Sequence, residues 1–385
     1  MSFPASSSRV PLERRALALS AALTLAAFAA PALASVPIVA TTSSKMATSQ
    51  DGSHNPEVFT ISADGHEHQL SWAGSWSAAD IFSFTNSVAA PTNTAIASLQ
   101  TPPTISYYLG ADGHVHQTLK PSAWTDRDLT AQAGGAVAVA GSSLSTIYMP
   151  DGGSRIYYIT TTGHIEELAV DAGGGTASSA DVTVASGAPL PASGTAMTSF
   201  ASSGEPRVYY FTPDGHVQEL EFGTGGWHHS DITVASGGPL AASGSALTGI
   251  AGGTSPKVYF LTSAGHVQEF GYLSGWHSTD TTTTANATPA VAGSSLTSQF
   301  INGGYPRVYF TSYDGHVREL AVGNNTWIQT DLTVRTNAPL AAAGSSLASN
   351  YRPSDGVLWV FYISANNHVQ EFAWTGGWSH NDINQ

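Results

Sequence analysis

The stretch Arg207-Val-Tyr-Tyr-Phe-Thr-Pro-Asp-Gly-His-Val-Gln-Glu-Leu recurs, with substitutions, seven times along the chain, and this repetition limits the fold more than any other feature. Its histidine returns as His66, His114, His164, His216, His266, His316 and His368, at steps of 48, 50, 52, 50, 50 and 52 residues. A period near fifty, held over the whole chain, marks a repeat architecture. Within each unit apolar and polar residues alternate on both sides of a Gly-containing turn, which predicts a β-hairpin. Two more strand-like pieces flank it, so the fourth unit reads as strands over 196–200, 207–212, 216–222 and 227–233. Four short antiparallel strands repeated seven times predict an all-β fold, a seven-bladed β-propeller over residues 44–385. An open solenoid would need distinct polar caps on its end units, and none is visible.

The remaining segments set the compartment. Arg9, Arg14 and Arg15 precede an apolar run over 16–30, and Ala32-Leu33-Ala34 supplies small residues for cleavage. Residues 1–34 therefore read as a secretory signal peptide and 35–43 as a short lead. An exported, soluble product is expected, extracellular or periplasmic, since no later segment is apolar enough to insert into a membrane. The chain has no cysteine, so core packing alone must hold it, and thiol catalysis is excluded. Acidic residues outnumber basic ones 27 to 13, which argues against a nucleic-acid partner and against anionic membrane surfaces. Whether the rings associate as homo-oligomers stays open.

The hairpin can present a charged pair. Pro213-Asp214-Gly215 predicts a three-residue loop with Gly in the left-handed position. With that loop Thr212 faces His216 and Tyr209 faces Glu219. Arg207 then lies diagonally from Glu219 on the same face, within reach of a long side chain. An Arg that only donates and a carboxylate that only accepts together satisfy both halves of a hydroxyl group.

The run Gly226-Trp-His-His-Ser-Asp-Ile-Thr-Val-Ala-Ser-Gly-Gly-Pro-Leu closely resembles the seven-bladed propeller lectins of the Photorhabdus type, and the Arg-Val-Tyr-Tyr…His-Val-x-Glu hairpin resembles the fungal fucose-specific lectins, which are six-bladed. The resemblance spans residues 44–385. It implies a non-enzymatic lectin with sugar held between neighbouring blades, an Arg and a Glu on its hydroxyls and a Trp on its apolar face. The implied partners are fucosylated or O-methylated glycans, and the residues alone do not separate fucose from galactose-type ligands. Carried over unit by unit, the site comprises Arg155 and Glu167 in the third, Arg207, Glu219 and Trp227 in the fourth, Lys257, Glu269 and Trp276 in the fifth, and Arg307, Glu319 and Trp327 in the sixth. The third unit lacks a Trp in Asp171-Ala-Gly-Gly-Gly-Thr. The pocket lies between blades, so a Trp from a neighbouring unit is an open alternative. No cofactor is implied.

Each feature has a plainer explanation. Seven histidines at one position read best as structural, a ring nitrogen bonding to the backbone; no metal site is expected of them. The aspartates four residues after six of the Trp residues read as turn or capping groups. The Trp residues divide between blade-interface packing and sugar stacking, and Arg207–Glu219 could be a mere surface ion pair. A glycosidase would need two carboxylates across one bond, and Glu residues one blade apart are too distant. The competing class is a propeller scaffold for protein partners.

Overall fold

Both faces of each hairpin are apolar, so no sheet can be left with one face in water. In the second strand of the fourth unit, Val208, Tyr209, Tyr210 and Phe211 are all buried, although their side chains alternate between faces. Such sheets must stack face to face. The computed structural model describes residues 40, 44–99, 103–252, 255–301, 305–323 and 325–384. The signal peptide and most of the lead read from the sequence lie outside the described residues.

Seven four-stranded antiparallel sheets form, each from four consecutive strands in meander order. The innermost strands touch their neighbours around the ring, and the first of them, Met46–Gln50, touches the last, Leu347–Arg352. The ring is thus a closed seven-bladed β-propeller, and the open solenoid is ruled out. The described blades exchange no strand. Closure rests instead on Gln50 Nε2 donating to Asn350 Oδ1 (2.7 Å), Asn350 Nδ2 to Ser49 O and Thr48 Oγ1 to Ser349 O (2.9 Å). Ser and Thr link other inner strands in the same way, as in Ser145–Ser199 and Thr248–Ser298.

The apolar core lies between blades rather than inside them. Each of seven buried clusters joins one face of a blade to the opposite face of the next. The closing cluster puts Val58, Leu70 and Met46 against Phe361, Ile363 and Val369, and includes Ala40 from the stretch read as a lead. Among the described residues no helix is long and apolar enough to cross a membrane.

In the fourth blade the strands are Met197–Ser202, Glu205–Phe211, Val217–Gly223 and Gly226–Asp231, close to the predicted ones except at the end. The last strand stops at Asp231, not at residue 233, because a short helix, Ile232–Ser236, follows. Asp231 is its N-cap, accepting from Val234 N, and Gly237 ends it at φ 63°. The capping role expected of the aspartates is therefore observed. The same aspartate also receives the repeated histidine: His216 Nδ1 lies 2.7 Å from Asp231 Oδ2, and the other six pairs span 2.5–3.0 Å. The histidines are structural as expected, but their partner is a carboxylate, not the backbone. One carboxylate thus ties the hairpin to the helix start. Gly215 closes the hairpin at φ 86°, where a Cβ would stand 2.9 Å from the Ala241 carbonyl oxygen.

Candidate functional site

Strand register decides which repeated residues meet. In the fourth blade Tyr209 pairs with Glu219, and Glu219 with Ser230. Arg207 sits two residues from Tyr209, so all four share the face turned towards the fifth blade. Trp227 pairs with Phe222, three residues from Glu219, and so lies on the opposite face. It packs edge-on against Tyr157 of the third blade, 6.2 Å between ring centroids. The triplet of Arg207, Glu219 and Trp227 is therefore not one cluster. The aromatic partner of Arg207 and Glu219 is Trp276 of the fifth blade, set edge-on against Tyr209.

The same shift holds at four consecutive junctions. Arg155, Tyr157 and Glu167 meet Trp227; Arg207, Tyr209 and Glu219 meet Trp276; Lys257, Tyr259 and Glu269 meet Trp327; and Arg307, Tyr309 and Glu319 meet Trp378. The Trp absent from the third unit is supplied by the fourth, and Trp378, which the unit-by-unit reading omitted, completes the last cluster.

In the three clusters built on Glu219, Glu269 and Glu319 a buried carboxylate lies under a more exposed cation, whereas Glu167 is half-buried. The Glu219 side chain is 5% exposed and that of Arg207 17%; for Glu319 and Arg307 the values are 3% and 19%. Arg207 Nη1 bonds Glu219 Oε1, which also accepts from the Tyr209 hydroxyl (2.7 Å), while Ser230 Oγ donates to Oε2 (3.1 Å). Arg207 Nη2 reaches a second carboxylate, Glu221. In the sixth blade Arg307 and Tyr309 both address Glu319 Oε1. Lys257 Nζ bonds Glu269 Oε1 (2.7 Å), with Tyr259 on Oε2 (2.6 Å). Arg155 differs: it donates to the Ser154 carbonyl, and Glu167 takes its bond from Tyr157 (2.6 Å).

Burial works against the Arg207 and Arg307 guanidiniums, but the adjacent glutamates more than compensate and hold both above the ordinary arginine range. Burial raises Glu167, against the Tyr157 hydrogen bond and the charge of Arg155. The buried Tyr209, Tyr259 and Tyr309 are pushed far up, by desolvation first and then by the glutamate each one serves, so they remain donors at every working pH. The Nε–H groups of Arg207 and Arg307 are buried without a protein acceptor.

At the junction of blades six and seven Arg307, alone of its cluster, lines a pocket of about 420 Å³ with Ile301, Tyr351, Asp355, Leu358 and Trp374. This volume falls within the ordinary range for small-ligand sites. Its aromatic wall is Trp374, with Trp378 packed behind at 5.7 Å between centroids. The sequence reading missed Trp374 and Tyr351. The signal was an aromatic residue four or five positions before the repeated Trp: Trp72 before Trp76, Phe222 before Trp227, Tyr272 before Trp276 and Trp374 before Trp378.

The other junctions are built differently. Glu57, between blades one and two, is filled by Ser49, Gln69 and Thr104. At the second junction Tyr107 bonds Ser154 and Gln117, with Ile105 where the cation would stand. At the closing junction Trp359 takes that place, under the guanidinium of Arg352 at 5.0 Å.

Residues 239–384 match the family model of the fungal fucose-specific lectins. The resemblance read from the hairpin is thereby found independently over the last three blades. Among solved structures, the chain is similar to the BP39L lectin of Burkholderia pseudomallei (15% identity, 88% of this chain and 98% of that one, TM-score 0.66). It is similar as well to the six-bladed, fucose-specific lectin of Aleuria aurantia (16%, 90% and 96%, 0.55) and to AofleA of Arthrobotrys oligospora (20%, 77% and 88%, 0.55). At these identities the likeness is one of fold. No curated protein matches the chain.

Proposed function

We propose that the protein is an exported, non-catalytic lectin that binds L-fucose or a related, including O-methylated, hexose in the clefts between blades three and four, four and five, five and six, and six and seven. The observation that carries this reading is the cation bonded to a buried carboxylate beside an aromatic face at three adjacent junctions, with Arg155, Glu167 and Trp227 gathered at the junction before them and a pocket walled by Arg307 and Trp374 at the last. A deoxyhexose offers vicinal hydroxyls and one apolar patch. The guanidinium donates to a hydroxyl, the carboxylate accepts from it, and the aromatic ring covers the patch. The match to the fucose-lectin family supports the choice of sugar. Export rests on the basic, apolar and small-residue pattern of residues 1–34.

One site of this kind holds a monosaccharide at roughly 0.01–1 mM, and several on one rigid ring strengthen binding to a multivalent surface by about 10²–10⁴. The test is a glycan array probed with residues 35–385 without added metal. Signals on fucosylated or O-methylated glycans are expected. A blank array from folded protein would overturn the reading in favour of a scaffold for protein partners.

A further inference from the structure

The turn between the second and third strands of blade two departs from its six counterparts at one position, and that departure meets a histidine that only blade one shares. The residue four before the repeated histidine carries a hydroxyl in the other units, as Ser62, Thr160, Thr212, Thr262, Ser312 and Ser364. Where an Asp or Asn follows two residues later, that hydroxyl bonds it: Ser62 to Asp64, Thr212 to Asp214, Ser312 to Asp314, Ser364 to Asn366. Blade two has Gly110 instead. A Cβ there would lie 2.5 Å from Asp112 Oδ1 and 3.0 Å from His116 Nε2. Asp112 is therefore turned towards His116, with Oδ2 3.2 Å from Nε2.

The second feature is His116, a residue type that blade one shares as His68; it is 2% exposed and stacked on Tyr108. Its Nδ1 lies 3.2 Å from Asp126 Oδ1, and the other oxygen of Asp126 is taken by Tyr108 (2.9 Å) and Ser87 (3.0 Å). Both ring nitrogens therefore face carboxylates, Nδ1 that of Asp126 and Nε2 that of Asp112, and an ion replacing the proton at Nε2 would meet the Asp112 oxygens. Asp128 closes the group, its carboxylate oriented by His114 (2.7 Å) and by the backbone N–H of Ala131 (2.8 Å). The ligand atoms of Asp112, His116 and Asp128 all lie within 4.8 Å of one another.

Blade six shows what such a place takes. Arg318 stands where His116 stands, and its guanidinium bridges the equivalent aspartates, Nη2 to Asp314 Oδ2 (2.6 Å) and Nη1 to Asp331 Oδ2 (2.9 Å). The pair of carboxylates is satisfied there by a cation from the chain. In blade one Ser62 keeps Asp64, and His68 Nε2 stays 3.9 Å away from it.

We propose that Asp112, His116 and Asp128 bind one divalent first-row metal ion, zinc by ligand type, at the hairpin end of blade two. One imidazole nitrogen and two carboxylate oxygens, with a second-shell carboxylate on the far ring nitrogen, form a usual zinc donor set, and a tetrahedral ion with bonds of about 2.1 Å needs ligands roughly 3.4 Å apart. Antiparallel strands place this hairpin at the opposite end of the blade from Arg207 and its counterparts, so the site is separate from the sugar clefts.

The test uses chelator-treated residues 35–385 titrated calorimetrically with Zn²⁺, and with Co²⁺ to read the ligand field by visible absorption. One equivalent is expected, with loss of that step in both His116→Gln and Gly110→Thr. Each variant installs a residue that sibling blades carry at the same position, Gln218 and Thr212, so folding is preserved, and far-UV circular dichroism checks it. Absence of a one-equivalent step would overturn the proposal and leave a proton between His116 and Asp112. A step that survives His116→Gln would place the ion elsewhere and overturn it equally.

Discussion

Replacing Arg207 and Arg307 together by Met separates a sugar site from an ion pair. Met keeps most of the unbranched stem and removes the guanidinium. Each lost charged hydrogen bond to a sugar hydroxyl is worth about 1.5–3 kcal/mol, or roughly 10–150-fold in affinity. From a starting Kd of roughly 0.01–1 mM, both sites weaken to roughly 0.1–150 mM and stay empty at sugar concentrations that still fill the unaltered sites. The folded state loses less. Glu219 keeps Tyr209 and Ser230 as donors, and Glu319 keeps Tyr309. The cations are themselves part-exposed at 17% and 19%, so the ion pairs are discounted for solvent. A fall in the melting temperature of a few degrees is expected. Equilibrium dialysis against labelled L-fucose counts the binding equivalents. If all four junctions bind, the double variant holds two fewer, and the survivors keep their affinity because distant sites act independently. An unchanged number of equivalents in folded protein would refute the placement of sugar at these pairs, and loss of every site would refute their independence.

Trp374→Ala should abolish binding at the junction of blades six and seven with little loss of stability, whereas Trp378→Ala, packed on Tyr309, should mainly lower the melting temperature; the reverse pattern would show that Trp378 is the stacking face. Asp231→Ala should cost about 1–3 kcal/mol by removing both the helix cap and the His216 contact, and Asp231→Asn, which still caps, should cost less; urea midpoints for the two variants check the order. Glu67 is fully buried against Ser106 and Thr118, and burial raises it to about 7. Its folded pKa is above its unfolded one, so its contribution is complete below about pH 4.5 and is lost as pH rises towards 7, by about 3 kcal/mol. Urea midpoints should therefore fall between pH 5 and 7.5 in the wild type more than in Glu67→Gln, and equal slopes would sink the assignment.

The fold was legible because its signals are local. Alternation and the Asp-Gly turn give the hairpin, and the period of fifty gives the ring. The short helix carries a local signal as well, since Asp231 and Gly237 bracket its five residues as a cap and a stop, against the alternation that predicts strand to residue 233. Partners across strands were harder. His216 and Asp231 are fifteen residues apart and meet because Asp231 pairs with Gln218, two residues from the histidine. The clusters were half legible. Arg207, Tyr209 and Glu219 share a face by the parity of the hairpin alone. Carried one strand further, the same parity puts Trp227 on the other face, and so assigns each Trp to the preceding blade's carboxylate. The aromatic residue before the repeated Trp marked Trp374 as a candidate, but which of Trp374 and Trp378 walls the open pocket depends on the depth at which Trp378 packs.

The uneven junctions follow from the division of labour within a blade. The His–Asp tie and the apolar faces sit towards the end of each sheet that carries the histidine hairpin and recur with little change around the ring, and the capped α-helix joins them in blades two to six. The cation and carboxylate lie nearer the other end, over a core that is already complete. Substitution there alters the chemistry of a cleft without disturbing closure, which is why Glu57 can be filled by Ser49, Gln69 and Thr104, and why Trp359 can take the place of the cation, in rings that still close. The four clusters that remain are adjacent. On the proposed function they form one continuous arc of sugar sites, so a glycan-bearing surface meets several of them only when it approaches that side of the ring.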